Sequence, residues 1–348
     1  MKDRIDKTVR IIFIAVSLLI LASTIIYTFY GYFFTRNLNT KKYTEKYSFI
    51  IKEGANFDSI VTMLSNDSAL NDINSFMTVA KAKDYPENIK IGRYIIYGGM
   101  TNNDIVSLLM RGEQTPLMVT YNNVKNIYRL AQKIGSQIQA DSASIIDTYN
   151  DDGFIRSLGL APEHRYMLIL PDSYEFYWTT SAKGFWSRMK AEYDAFWNKK
   201  RTQALETIRL SKSEVLTLAS IVEMETNKKS EMKTIAGVYM NRLHKNVLLQ
   251  ADPTLVYISD FKGRRVTNNL KKIDSPYNTY IYKGLPPGPI CFPSKAAIDA
   301  VLWYEHHTYM FFCAKDDFSG YHAFAHTYLQ HLRNARAYQR ALNERGIW

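Results

Sequence analysis

The stretch Leu218–Arg242, LASIVEMETNKKSEMKTIAGVYMNR, decides how this chain reads. Apolar residues recur at helical spacing on both sides of a polar break, so the stretch predicts two helices joined by a turn. Two glutamates close the first helix. Leu216, Ala219 and Ser220 stand seven, four and three positions before Glu223, so a mostly apolar stripe leads to that carboxylate. Glu225 lies two residues on, about 200° round the helix, and the two carboxylates diverge. A carboxyl at the end of an apolar stripe loses hydration, which raises its pKa toward the range where a general acid works. Glu223 is therefore the expected proton donor, and Glu225→Gln is expected to cost little. The competing reading of Glu223 is a solvated helix-end glutamate paired with a lysine.

The surrounding chain is long enough for two modest domains, at 348 residues. Its net charge of +11 suits a membrane surface or an anionic polymer. The basic residues are scattered and no nucleic-acid motif occurs, so no nucleic-acid partner is expected. Residues 11–34, IIFIAVSLLILASTIIYTFYGYFF, carry no charge and are long enough to span a bilayer. The run exceeds an ordinary signal-peptide core and predicts an uncleaved anchor; a cleaved signal is the alternative. Lys2, Arg4, Lys7 and Arg10 precede it, which predicts a cytoplasmic tail over 1–10 and the body outside. Residues 35–45 read as a polar linker.

A local repeat follows. FIIKEGANFDSIVTML (Phe49–Leu64) and YIIYGGMTNNDIVSLL (Tyr94–Leu109) align without gaps. Each predicts a strand, a turn at Gly54 or Gly99, and a helix starting near Asn or Asp. A weaker echo starts at Met118, with Asn123 at the glycine position. These units fit either a plain packing module or a glycan-positioning one. Further on, Asp141–Glu163 reads as helical pieces. Lys183–Arg209 reads as one amphipathic helix with Phe185, Trp186, Met189, Tyr193 and Phe196 on a core stripe. Asp252-Pro253 suits a helix start. Five prolines and two glycines fix the loop SPYNTYIYKGLPPGPICFPS (Ser275–Ser294), and Ser294 suits a cap for the helix after it. YMFFCAK (Tyr309–Lys315) and the start of GYHAFAHTYLQH (Gly320–His331) read as strands. Cys291 and Cys313 leave two readings open, a disulfide or buried thiols. His322, His326 and His331 lack a cysteine or carboxylate at ligand spacing, and no metal is expected.

ASIVEMET, LQADPT, SPYNTY, GLPPGPI and HAFAHTY with His331 occur in this order, with LPDSY upstream. Together they resemble the endolytic murein transglycosylases of the MltG/YceG-like family. Ser173 stands for the family's threonine. His164-Arg165-Tyr166-Met167 replaces the glutamate and glycine usual before the Pro-Asp stretch, and Leu332 replaces an asparagine. The resemblance implies an α+β fold: a transmembrane helix over 11–34, a LysM-like domain over 46–113 and a catalytic domain over 114–348. It implies cleavage of the MurNAc–GlcNAc β-1,4 bond in nascent peptidoglycan, giving 1,6-anhydro-MurNAc ends and terminating glycan elongation. It also implies a bacterial cytoplasmic-membrane location and peptidoglycan synthases as partners. The family's catalytic glutamate is carried onto Glu223, the first Glu of the motif. Gln250, Asp252, Thr254, Asn278, Tyr280 and His322 are the expected substrate-binding residues. Because the substrate's own C6 hydroxyl is the nucleophile, one carboxylate can serve both proton transfers, and no cofactor is needed. Two other readings stand beside this one. In a hydrolytic muramidase, Asp252 or Glu225 would activate water. In a non-enzymatic scaffold, the LysM-like region would bind glycan.

Overall fold

The computed structural model describes residues 2–36, 46–122, 124, 126–259 and 267–346. All but the first two positions of the expected linker, and Asn123 of the third echo, lie outside them. Two units are present, Met1–Leu117 with Glu175–Thr179, and Met118–Tyr174 with Thr180–Trp348.

In the first unit, α1 (Lys2–Tyr30) runs on into a π-helical turn, Gly31–Arg36. Its segment Val9–Tyr30, with mean hydropathy 2.6, is long and apolar enough to cross a membrane. The two aligned segments fold alike. β1 (Lys46–Ile51) leads to α2 (Phe57–Asn66), and after α3 (Ile73–Ala82), β2 (Gly92–Tyr97) leads to α4 (Asn102–Arg111). Gly54 and Gly99 both take left-handed backbone, at φ 76° and 89°, where a Cβ would strain the turn. The aligned residues Asn56 and Thr101 both cap the helix that follows, accepting from the backbone N–H of Ser59 and Asp104. β1 and β2 pair antiparallel with Phe49 opposite Tyr94. Ile60, Leu64, Ile105, Val106 and Leu109 are buried together with Phe76 and Tyr85. Each such aliphatic side chain contributes about 1.5–3 kcal/mol through burial.

The echo is β3 (Leu117–Tyr121), which enters the second unit at Met118, then α5 (Ile127–Gly135) capped by Asn126. α6 (Ser142–Asn150) and α7 (Asp152–Ser157) are the helical pieces, and β4 (Asp172–Phe176) pairs with β3. The single helix expected over Lys183–Arg209 is two, α8 (Ala182–Phe196) and α9 (Lys199–Ile208). Asn198 breaks it, because its side chain accepts from Arg201 N–H and starts a new helix. The stripe Phe185, Trp186, Met189, Tyr193 and Phe196 is buried throughout.

α10 (Lys212–Glu225) forms the centre of this unit. A capping box of Ser211 and Glu214 starts it. Val215 through Val222 are all buried, so the helix is covered on every side. α11 (Met232–His244), α12 (Asp252–Ser259) and α13 (Lys295–Leu302) pack against it. Ser294 caps α13, accepting from Ala297 N–H. The hairpin of β5 (Phe311–Ala314) and β6 (His322–Ala325) and the last helix, α14 (Tyr328–Glu344), complete the unit. Cys291 and Cys313 are not disulfide-bonded.

α11 meets the chain after α13 at Gly237. A Cβ there would stand 2.3 Å from the Glu305 carbonyl oxygen and 2.6 Å from His307 Nε2. Backbone cannot step aside as a flexible side chain does. Gly237→Ala is expected to destabilise the unit by about 1–3 kcal/mol, seen as a lowered Tm in thermal unfolding. An unchanged Tm would show that the Glu305–His307 segment yields freely.

Candidate active site

α10 places both glutamates at its last turn, and they face different ways, Glu223 toward α13 and Glu225 toward a cavity. Glu223 points toward α13. Its carboxylate accepts the Ser294 hydroxyl at 2.5 Å and Ser294 N–H at 3.4 Å. The preceding turn of that face is tied to the Pro-rich loop, since Ser220 Oγ accepts Ile290 N–H at 2.9 Å. Glu225 instead lines a cavity of about 400 Å³. The helix ends immediately after it, at Thr226, whose backbone is extended.

Around the cavity the chemistry is dense. The Tyr239 hydroxyl donates to Glu225 Oε1. The Tyr280 hydroxyl donates to Asp252 Oδ1. The Arg242 guanidinium donates to Leu248 O at 2.9 Å, Met310 O at 2.7 Å and Gln250 Oε1 at 2.6 Å. It also lies over the Phe311 ring, 5.2 Å from the centroid. Gln250 is held in left-handed backbone, φ 53°, with its N–H on Thr279 O. Phe312 packs edge-on against Tyr239 at 5.8 Å and His322 at 5.3 Å. His331 closes the wall, stacked on Phe311 at 5.4 Å.

These surroundings set the charge states. Burial pushes the Glu225 carboxyl up to about 7, against the Tyr239 hydrogen bond that favours its anion, and the nearby Asp252 charge adds to the rise. Burial also lowers the Arg242 guanidinium. A carboxyl that is half protonated near neutral pH, enclosed and facing a cavity, is equipped to deliver a proton.

Of the residues expected to bind substrate, Gln250, Asp252, Tyr280 and His322 line this cavity. Thr254 and Asn278 do not, because both are fully buried and committed elsewhere. The Asn278 amide donates to Lys271 O and Ile273 O and accepts Tyr280 N–H, so it shapes the loop that carries Tyr280. Thr254 bonds Ala251 O and Thr279 Oγ1. The segment that departs from the family pattern is packing. Arg165 bonds Pro162 O and Tyr149 O, and Tyr166 shares a hydrogen bond with Ser213 at 2.6 Å. Tyr239, Arg242 and Glu231 were not singled out by sequence reasoning. The available signal was Tyr239 and Arg242 three positions apart, on one face near the end of the second helix.

The YceG-like family model matches residues 49–337. The chain belongs to the YceG-like family. This YceG-like chain is 26% identical over 313 residues to the endolytic murein transglycosylase of Bacillus subtilis strain 168, covering 85% of each. It is 29% identical over 335 residues to the endolytic murein transglycosylase of Streptococcus pneumoniae serotype 2 strain D39. That match covers 85% of this chain and 58% of the pneumococcal protein, so the chain spans little more than half of that relative's length. Its fold is similar to a 2.6 Å crystal structure of a yceG-like protein from Listeria monocytogenes. The TM-score is 0.56 at 27% identity, over 83% of this chain and 98% of the other.

Proposed function

We infer that this YceG-like chain is an endolytic murein transglycosylase, a lytic enzyme that cleaves the MurNAc–GlcNAc β-1,4 bond within peptidoglycan strands. The observation that carries the reading to particular residues is Glu225, a carboxyl pushed up to about 7 on the wall of a cavity shared with Asp252, Tyr280 and His322. In this proposal Glu225 takes the role expected for Glu223. Tyr239 occupies one of its oxygens, which leaves the other to protonate the departing C4 oxygen of GlcNAc. The MurNAc C6 hydroxyl then closes on C1 from within the same sugar, gaining the advantage of an intramolecular attack. Asp252, fixed by Tyr280, supplies negative charge toward the oxocarbenium-like carbon, and Gln250 and His322 orient sugar hydroxyls. Glu223 and Ser294 hold α10 against α13.

The β1–α2–α3–β2 arrangement of the first unit supports a LysM-like, glycan-positioning role. The apolar Val9–Tyr30 helix supports a single-pass anchor in the cytoplasmic membrane, with the charged tail inside and the catalytic unit outside. An anchored enzyme working on nascent strands meets the peptidoglycan synthases there, and these are the proposed partners.

One observation favours a second reading. Asp252 shares the cavity with Glu225, and a pair of carboxylates is what a hydrolase uses to activate water. Mass spectrometry of peptidoglycan digested by the purified protein separates the two. Anhydro-MurNAc ends support the transglycosylase; reducing ends, heavier by one water, support the muramidase.

A further inference from the structure

One of the cavity-lining residues, His322, is paired with a buried carboxylate behind it, Glu231. Glu231 stands at the start of α11 and is buried. Both of its oxygens engage one residue: Oε1 accepts His322 N–H at 2.9 Å, and Oε2 meets His322 Nδ1 at 3.1 Å. A carboxylate only accepts, so Nδ1 carries a hydrogen and the other ring nitrogen, Nε2, keeps its lone pair when the ring is neutral. The ring itself lines the cavity. It flanks Phe312 on one side as Tyr239, the hydrogen-bond donor to Glu225, flanks it on another. The hydrogen-bond donor to the acid and the imidazole are thus packed on one shared aromatic ring. A carboxylate that fixes the tautomer of a histidine facing a reaction cavity is the arrangement by which a neutral imidazole is made a base.

We propose that His322 is the base of the transglycosylase reaction, taking the proton of the MurNAc C6 hydroxyl at Nε2, with Glu231 as its positioning residue. This rests on the transglycosylase reading above. The C1–O4 bond breaks with its electron pair going to O4, and O4 receives the Glu225 proton. O6 forms its bond to C1 and its proton passes to Nε2. The products are the anhydro sugar, the freed GlcNAc hydroxyl, a Glu225 carboxylate and a His322 imidazolium, and solvent returns the proton from one to the other. Glu225 then need not serve both atoms, which suits a carboxyl with one oxygen already occupied by Tyr239.

The bidentate contact supplies a sharp test. In Glu231→Gln the single carbonyl oxygen is required by His322 N–H. The amide NH₂ then faces Nδ1, which must accept, and the hydrogen moves to Nε2. The ring stays in place with the wrong tautomer and cannot take a proton at Nε2. The experiment compares wild type, Glu231→Gln and His322→Ala on purified peptidoglycan, with products counted by mass spectrometry and folding followed by thermal unfolding. Glu231→Gln is expected to retain its fold and lose about 10²-fold or more in the rate of anhydro-end formation. The fraction of ends that are anhydro should fall, because water intercepts the C1 centre when O6 keeps its proton. Added imidazole should restore part of the anhydro fraction in His322→Ala. A wild type that yields anhydro ends, beside a Glu231→Gln variant with an unchanged anhydro fraction and a rate within tenfold, would overturn this inference and leave the transglycosylase reading standing. A rate that falls only in step with thermal stability, with no change in anhydro fraction and no rescue by imidazole, would also overturn it. Reducing ends from the wild type would overturn the transglycosylase reading and this inference with it.

Discussion

Glu225→Gln is expected to reduce release of cleaved glycan by about 10³-fold or more, and Glu223→Gln by less than tenfold. Glutamine keeps the shape of the side chain and can still accept the Tyr239 hydroxyl, but it has no proton to deliver. At position 223 the amide oxygen still accepts the Ser294 hydroxyl, so the link between α10 and α13 survives. The same substitution carries a stability signature. The Glu225 carboxyl is raised from 4.5 to about 7, so between those values the folded state holds a proton that the unfolded state has released. Wild-type stability should therefore fall as pH rises through this window, with no penalty below it and a plateau above it. A shift of that size corresponds to an upper limit of about 3 kcal/mol. Glutamine carries no such penalty. Denaturant unfolding at pH 8 should find Glu225→Gln more stable than wild type, and unfolding at pH 4.5 should find the two nearly equal. An active Glu225→Gln enzyme beside a dead Glu223→Gln enzyme would return the acid to Glu223.

The choice between the two glutamates shows where sequence periodicity stops. The apolar stripe through Leu216 and Ala219 leads to Glu223, but Leu218, Ile221 and Val222 make an equally apolar stripe to Glu225. A helix buried on all sides has no single inward face, so neither stripe says which neighbour holds the cavity. Only the partners decide, and Tyr239, Asp252 and Ser294 are 14, 27 and 71 residues away from the carboxyls they meet or influence. The local repeat was legible for the opposite reason. Gly54 and Gly99, the caps at Asn56 and Thr101, and the alternating strands are all set by neighbours in sequence. The break at Asn198 was also local, and a capping residue in the middle of an amphipathic run was the signal for it. Asn278 and Thr254 show a third case. A motif rich in polar residues reads as a binding surface, yet a proline-fixed loop must satisfy its own backbone, and these side chains serve that need.

Arg242→Ala is expected to destabilise the second unit by about 3–5 kcal/mol, the largest stability effect among the cavity residues. The guanidinium satisfies Leu248 O, Met310 O and Gln250 Oε1, and it covers the face of Phe311. Truncation leaves three acceptors without a donor, each costing about 1–3 kcal/mol where water cannot reach, and removes the packing of the stem. Arg242→Lys separates this from simple loss of charge. An ammonium keeps the charge but lacks the planar fork that reaches three acceptors in different directions. Lysine should therefore recover less than half of the lost stability in denaturant unfolding. Activity should recover still less, since Arg242 anchors the side chain of Gln250, a residue in left-handed backbone two positions before Asp252. If that geometry relaxes, Asp252 and the start of α12 shift relative to Glu225. The Arg242→Lys enzyme should then fall by about 10²-fold in kcat/KM, as expected for a displacement near 1 Å at a reacting centre. Wild-type stability and activity in Arg242→Lys would show that one donor suffices and that the fork does not position the site.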